Sequence, residues 1–306
     1  MQFQGLLFFI IMICVGYFSI KSKLVPEEAT DVLPSILLHV CFPAMLFCTF
    51  STTGKEELLS AGLPTVIVSL VFSLVPFLIS FPLFRSFSDA RRPLLRFISS
   101  IGNTSFACVP LLSLFLTNSQ MSVVLVHGAV MDFLIWGVHQ QIFIGSSTAD
   151  KGLLLKKALT PNLFALILGV ICSAFSLQTP HFLTYTLEAL AAAVSPLSLL
   201  FIGMLICRYG LLGWIHSKIA IVYSILRVIL FPCLVFAILY FILPLDTALI
   251  LAICFGSPSP VSAVLWCKQY GKDTRLAVDC LIPSTILYFA VMGGLLIVLS
   301  GLGFFS

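Results

Sequence analysis

"SSIGNTSFACVPLL", residues 99–112, stands inside a long apolar run and carries Gly102, Asn103, Thr104 and Ser105 in succession. The surrounding run, about 94–116, is long enough to cross a bilayer. In hydrocarbon, backbone that leaves the helix must have its N–H and C=O groups satisfied by protein or by a water-filled cavity. The stretch therefore predicts a spanning helix that breaks at mid-depth.

Composition supports a membrane reading. Of 306 residues, 60% are hydrophobic and only 9% charged, against about 25% charged in soluble domains. The mean hydropathy is +1.15. The first apolar run, Phe3 to Ile20, lacks a basic leader and a small-residue cleavage site, so it is expected to stay as a helix. No polar segment is long enough to fold as a soluble domain. The ten cysteines include no CxxC, and Cys41, Cys48, Cys172 and Cys254 sit in apolar runs. They read as small buried hydrophobes, and no metal centre is expected. The net charge of +4 calls for no nucleic-acid partner.

Apolar runs between charged or Pro/Gly breaks suggest ten spans, at about 3–20, 31–50, 58–84, 94–116, 120–144, 158–177, 182–206, 214–243, 247–267 and 276–302. The positive-inside rule orients them. With both termini outside, the cytoplasmic loops hold Lys21 and Lys23; Arg85, Arg91, Arg92 and Arg96; Lys151, Lys156 and Lys157; Arg208 and Lys218; and Lys268, Lys272 and Arg275. Of the 16 basic residues, that leaves only Lys55 outside and Arg227 within a span.

The two halves echo one another. Pro26 corresponds to Pro180, Pro43 to Pro196 and Gly102 to Gly256, at nearly constant separation. Five spans per half make the second half enter from the opposite side, as in the inverted repeats of secondary transporters. The expected fold is an all-α membrane protein. Residues 1–145 form the first five-helix repeat, 146–157 a cytoplasmic linker, and 158–306 the second, inverted repeat. Helices four and nine, with "GNTSFACVP" and "GSPSPVSAV", are expected to break and cross. Half-helix N-termini meeting there would face an anion. Gly102, Asn103, Thr104, Ser105, Ser257, Pro258 and Ser259 are the candidate binding residues.

Charge inside the membrane supplies the next candidates. Asp132 lies roughly 16 Å into the fifth span, near the middle of a ~30 Å core. Arg227 is near the middle of the eighth. A lone charge there costs at least ~2.5–3.5 kcal/mol, so each calls for a partner or a wet cavity. Two readings stand: an Asp132–Arg227 brace, or Asp132 for a coupling cation and Arg227 for a substrate anion. Glu188 either competes for Arg227 or snorkels to the surface. His39 and His127 are packing histidines or proton carriers, and His139-Gln140-Gln141 is expected at the interface.

At these motifs the chain resembles the auxin efflux carrier family. "GNTSFACVPLL", "GSPSPVSAVLWCKQYGKD" and "LLHVCFPAMLFCTFS" are similar to that family's fourth-, ninth- and second-helix patterns. Two positions depart: Cys108 stands where many members have glycine, and Ser259 where some have asparagine. The resemblance implies the fold of the sodium–bile acid symporters. Helices one, two, six and seven would be a scaffold, and three to five with eight to ten an elevator-like transport bundle. It also implies a small organic anion as substrate, such as an auxin-like monocarboxylate or a malate- or malonate-like dicarboxylate. A homodimer, a coupling proton or sodium ion, and a plasma-membrane location (the inner membrane in a bacterium) belong to the same expectation. No organic cofactor is implied. The loops are too short for a separate active site, and HExxH and GxSxG are missing, so an enzyme is not expected. A channel and a cation-coupled symporter of a non-carboxylate solute are the alternatives.

Overall fold

The computed structural model describes residues 2–52, 62–144, 161–177 and 179–304. Lys55, Lys151, Lys156, Lys157 and the 146–157 linker lie outside the described residues. Among the described residues every regular element is helical. Stretches long and apolar enough to cross a membrane run over Ala29–Ser51, Gly62–Leu83, Gln120–Phe143, His181–Tyr209, Lys218–Leu239 and Thr274–Gly301, with shorter apolar helices at Leu7–Lys21 and Leu245–Phe255.

The elements in order are α1 (Gln2–Lys21), α2 (Ala29–Ile36), α3 (Phe42–Thr52), α4 (Gly62–Leu83), α5 (Arg92–Ser100), α6 (Val109–Leu112), α7 (Asn118–Leu134), α8 (Gln140–Ile144), α9 (Pro161–Ala174), α10 (His181–Ala192), α11 (Val194–Tyr209), α12 (Lys218–Ile225), α13 (Phe231–Leu239), α14 (Leu245–Phe255), α15 (Val261–Gln269) and α16 (Thr274–Gly301). Wide π-turns join α2 to α3 (Leu37–Cys41), α7 to α8 (Ile135–His139) and α12 to α13 (Leu226–Leu230), and one leads into α6 (Thr104–Cys108). Proline explains two of them. Pro43 and Pro232 follow the turns closely. Each lacks an N–H and clashes with the carbonyl four residues back, and a wider turn relieves both conflicts.

The chain forms two compact units. The first comprises Met1–Phe8, Pro64–Met131 and Tyr209–Ser306. Its α4 has small polar residues inside and large apolar ones outside. Thr65, Ser69, Ser73 and Ser80 are buried, while Leu63, Ile67, Val71, Val75 and Ile79 are exposed. Water would favour the opposite arrangement; lipid permits this one, and interior small residues let helices approach closely. Ser69 Oγ hydrogen-bonds His127 Nδ1 at 2.9 Å, and the Ser73 hydroxyl donates to Met131 Sδ at 3.3 Å. Four-residue spacing on both helices brings both pairs into register. Phe255, at the end of the buried α14, has the rings of His127, Phe72 and Phe231 around it at 4.7, 5.7 and 5.9 Å. Trp266 of α15 packs on Phe97 of α5 at 4.8 Å.

The second unit comprises Phe9–Leu63 and Asp132–Arg208. Here α9 and α10 pack on α3. A side chain at Gly169 would strike Phe50 Cβ and the Phe47 carbonyl. Likewise Gly16 lies on the backbone of Leu200, and Gly203 on that of Ile13. α1 and α11 thus touch backbone to backbone, a contact only glycine allows. Arg208 ends α11 in a 3.1 Å ion pair with Asp31 and a hydrogen bond to Thr30 Oγ1.

Candidate functional site

The stretch 99–112 breaks as its composition predicts. α5 stops at Ser100, and Ile101 is extended, with φ −113° and ψ 139°. Helical winding resumes only at Thr104, as a π-turn. A second break follows α14. Gly256 and Ser257 still bond back to Ala252 and Cys254, but Pro258 to Pro260 are non-helical, and α15 starts at Val261. The two prolines supply no N–H to a helical ladder, so they stop the helix by themselves.

The breaks touch within the first unit. Asn103 N–H donates to the Pro258 carbonyl at 2.8 Å, so one freed backbone group satisfies the other. The Ser259 N–H donates to Ser284 Oγ at 3.1 Å, and that hydroxyl donates onward to the Cys280 carbonyl at 2.6 Å. The Asn103 carbonyl accepts from Ala107 N at 3.2 Å and Cys108 N at 3.3 Å, anchoring the start of the following turn. Cys108 and Cys254, one beside each break, bring their sulfurs to 3.5 Å.

Arg227 joins this crossing. It sits on the π-turn between α12 and α13 and is only 4% exposed. Its Nε donates to the Ser257 carbonyl at 3.1 Å. A Cβ on Gly102 would collide with Arg227 Nη2 and Ser257 Oγ, so the first break lies directly against the guanidinium. The Phe231 ring lies 5.4 Å from Arg227 Cζ, a cation–π distance. Nη1 has no hydrogen-bond partner, and Arg227 is in no ion pair among the described residues. Ser257 Oγ, Ser259 Oγ and Thr104 Oγ1 are likewise buried without a hydrogen bond. Such groups carry a desolvation cost that an anion, water or a hydroxylated ligand would relieve.

Of the residues singled out from sequence, Gly102, Asn103, Ser257, Pro258 and Arg227 come together here, with Ser259 one residue on. Thr104 is buried and Ser105 partly so; Thr104 Cγ2 faces Gly128 of α7. His127 is buried, bonded to Ser69 and stacked edge-on against Phe255. Asp132 is buried near the end of α7 and belongs to the second unit. His39 is exposed on the Leu37–Cys41 turn, with Nδ1 2.9 Å from the Ser35 carbonyl. Glu188 is exposed on α10. His139 and Gln140 are buried within the protein. The Ile135–His139 π-turn carries His139, whose Nδ1 lies 2.9 Å from the Leu134 carbonyl.

Two participants escaped the sequence reading. Ser284 caps the second break from a distant helix, and no local signal marks it. Tyr223 lies one turn before Arg227, and its hydroxyl adjoins Ser259 and Arg227. The four-residue spacing to Arg227 was the available clue.

Among known families the chain matches the one described as membrane transport protein, over residues 2–152 and again over 148–295. The chain belongs to this family, that of the auxin efflux carriers. It is also similar to an uncharacterized transporter of Methanocaldococcus jannaschii, at 26% identity over 302 residues, covering 94% of this chain and 96% of the relative. Membership of this membrane transport protein family, together with the apolar helices, fits a multi-pass membrane protein of transport.

Proposed function

We propose that the protein is a secondary transporter of a small organic anion, a mono- or dicarboxylate, and that the anion binds at the crossing of the two broken segments. The observation that carries this reading is the Arg227 guanidinium. It is buried, abuts both breaks, and holds one nitrogen that no protein group satisfies. A carboxylate is its natural complement, since the planar fork matches two carboxylate oxygens. Asn103 and the hydroxyls of Ser257, Ser259 and Thr104 would complete the site. The helix N-termini at Thr104 and Val261 add partial positive charge.

Both breaks and Arg227 belong to the first unit, which suits an elevator-type movement of that unit with its cargo. Two inverted repeats would supply the matching breaks, and Asp132 is the candidate for a coupling proton or cation. Both termini would face outward across the plasma membrane.

Ligand-dependent thermal shift and uptake of labelled mono- and dicarboxylates test the reading. Removing a hydrogen bond to a charged ligand costs about 1.5–3 kcal/mol, tenfold or more in affinity. Asn103→Ala and Arg227→Gln are expected to weaken carboxylate binding by at least that factor. Arg227→Lys is expected to retain part of it, because the charge remains and the fork is lost. Normal carboxylate uptake by both Asn103→Ala and Arg227→Gln at sub-saturating concentration would sink the assignment.

A further inference from the structure

Along α12 an apolar groove runs over the first unit and ends beside the crossing, where Ser99, Arg227 and Phe231 line it. Its volume is about 460 Å³, and Leu83, Phe84, Phe87, Leu95, Val222 and Leu226 are among its walls. Tyr223 and Arg227 border it, yet its surface is almost wholly apolar. Their polar ends therefore do not serve it. It begins beside Lys218 and reaches Arg227, nine residues along the helix axis, or ~14 Å at 1.5 Å per residue.

At the Lys218 end the groove meets a second hollow of opposite character. This pocket, of about 510 Å³, is bordered by Arg91, His216, Lys218, Asp273, Arg275 and Asp279. Lys218 and Ile219 line both. Three basic loops build it. Arg91 pairs with Asp273 at 2.7 Å, Arg275 with Asp279 at 3.1 Å, and Arg275 Nη1 donates to the Tyr209 carbonyl at 3.0 Å. The two carboxylates are each held by an arginine. Lys218 is exposed and in no ion pair among the described residues.

We propose that these two hollows, which share Lys218 and Ile219 as lining, form a site for one anionic phospholipid, with its phosphate in the polar pocket at Lys218 and an acyl chain in the groove along α12. With both carboxylates paired to arginines, the remaining charge of Lys218 favours an anionic head, and an apolar wall favours a hydrocarbon chain over a second polar group. The chain's length of contact, one face of a two-turn helix and the start of the next, suits the upper part of an acyl tail. Basic clusters at the end of a spanning helix attract the anionic lipids of the cytoplasmic leaflet. The occupant would brace the helix whose π-turn carries Arg227.

The test is retention of lipid by purified full-length protein, read by native mass spectrometry after equilibration with equal dioleoyl phosphatidylglycerol and dioleoyl phosphatidylcholine. The wild type is expected to retain one phosphatidylglycerol in preference to phosphatidylcholine. Lys218→Ala is expected to lower that preference about fivefold, the share of one basic residue beside an anionic lipid, and Lys218→Arg to restore it. Val222→Trp, which fills the groove, is expected to abolish retention of either lipid. Lys21→Ala, in the second unit, should change nothing. Equal retention of both lipids by the wild type overturns the proposal, as does an unchanged preference in Lys218→Ala. Displacement of the lipid by glycerol phosphate alone, at matching concentration, would mark a phosphate site without a chain slot. Displacement by decanoate but not by added phosphatidylglycerol would mark an amphiphilic-anion site; either overturns it. If one variant fails to fold, the other decides.

Discussion

Arg227 concentrates the cost of this fold, and its proposed use, in one side chain. A guanidinium at mid-depth is expensive, and here its relief from protein is partial: one carbonyl at 3.1 Å and one aromatic ring at 5.4 Å. Gly102 is what lets it lie there. A methyl at that position would meet Ser257 Oγ, Arg227 Nη2 and the Ser257 carbonyl, the last at 2.8 Å. Overpacking of this kind costs about 1–3 kcal/mol. Gly102→Ala is expected to lower thermal stability and to weaken anion binding together, because Arg227 must move. A variant with wild-type melting and wild-type affinity would show that the contact yields without consequence. Ser284 makes a separate prediction. Its hydroxyl satisfies the Ser259 N–H, and an orphaned buried N–H costs about 1–3 kcal/mol. Ser284→Ala should therefore lower the melting temperature, while Ser284→Thr, which keeps the hydroxyl, should largely restore it.

At the scale of elements, a backbone bridge from Asn103 to Pro258 joins the two breaks, with cysteines beside it. The 3.5 Å between the sulfurs of buried Cys108 and Cys254 puts a disulfide across the breaks within reach. With the other cysteines replaced, a membrane-permeable oxidant such as diamide is expected to join these two across the breaks. The readout is a chain that resists labelling by a maleimide after denaturation and becomes labelled after reduction. Full labelling after oxidation would place the segments farther apart than described. π-turns recur where prolines follow, and one of them presents Arg227. Here the element's irregularity, not its regular part, positions the candidate binding group.

At the scale of the molecule, topology is the open expectation that a direct measurement reaches. Three of the basic loops assigned to one side, around Arg91, Lys218 and Arg275, meet in a single pocket of the first unit. The remaining basic residues assigned there include Lys151, Lys156 and Lys157. Single cysteines on a cysteine-free background provide the check. Ser86→Cys is expected to react with an impermeant reagent only from the cytoplasmic side, and Asn118→Cys only from outside. The reverse pattern at either position would overturn the proposed topology.

Composition and pattern alone determined that this chain is helical, lies in a membrane and breaks at two places. Each of these follows from short-range physics: hydrocarbon selects helices, and a Gly-Asn or Pro-Ser-Pro stretch interrupts them wherever it occurs. The same local logic picked out Asn103, Ser257, Pro258 and Arg227. It did not find Ser284 or the abutment of Gly102 on Arg227, and it left the Tyr223 spacing unused. Partners such as Asn103 with Pro258, or Ser259 with Ser284, are joined by packing of distant segments, and no periodicity in the sequence records that. Nor did an apolar run disclose which side of α4 faces protein, because in lipid apolar residues serve both faces. Only the tertiary structure decided that Thr65, Ser69 and Ser73 turn inward, since only there do small hydroxyls find His127 and Met131 to receive them.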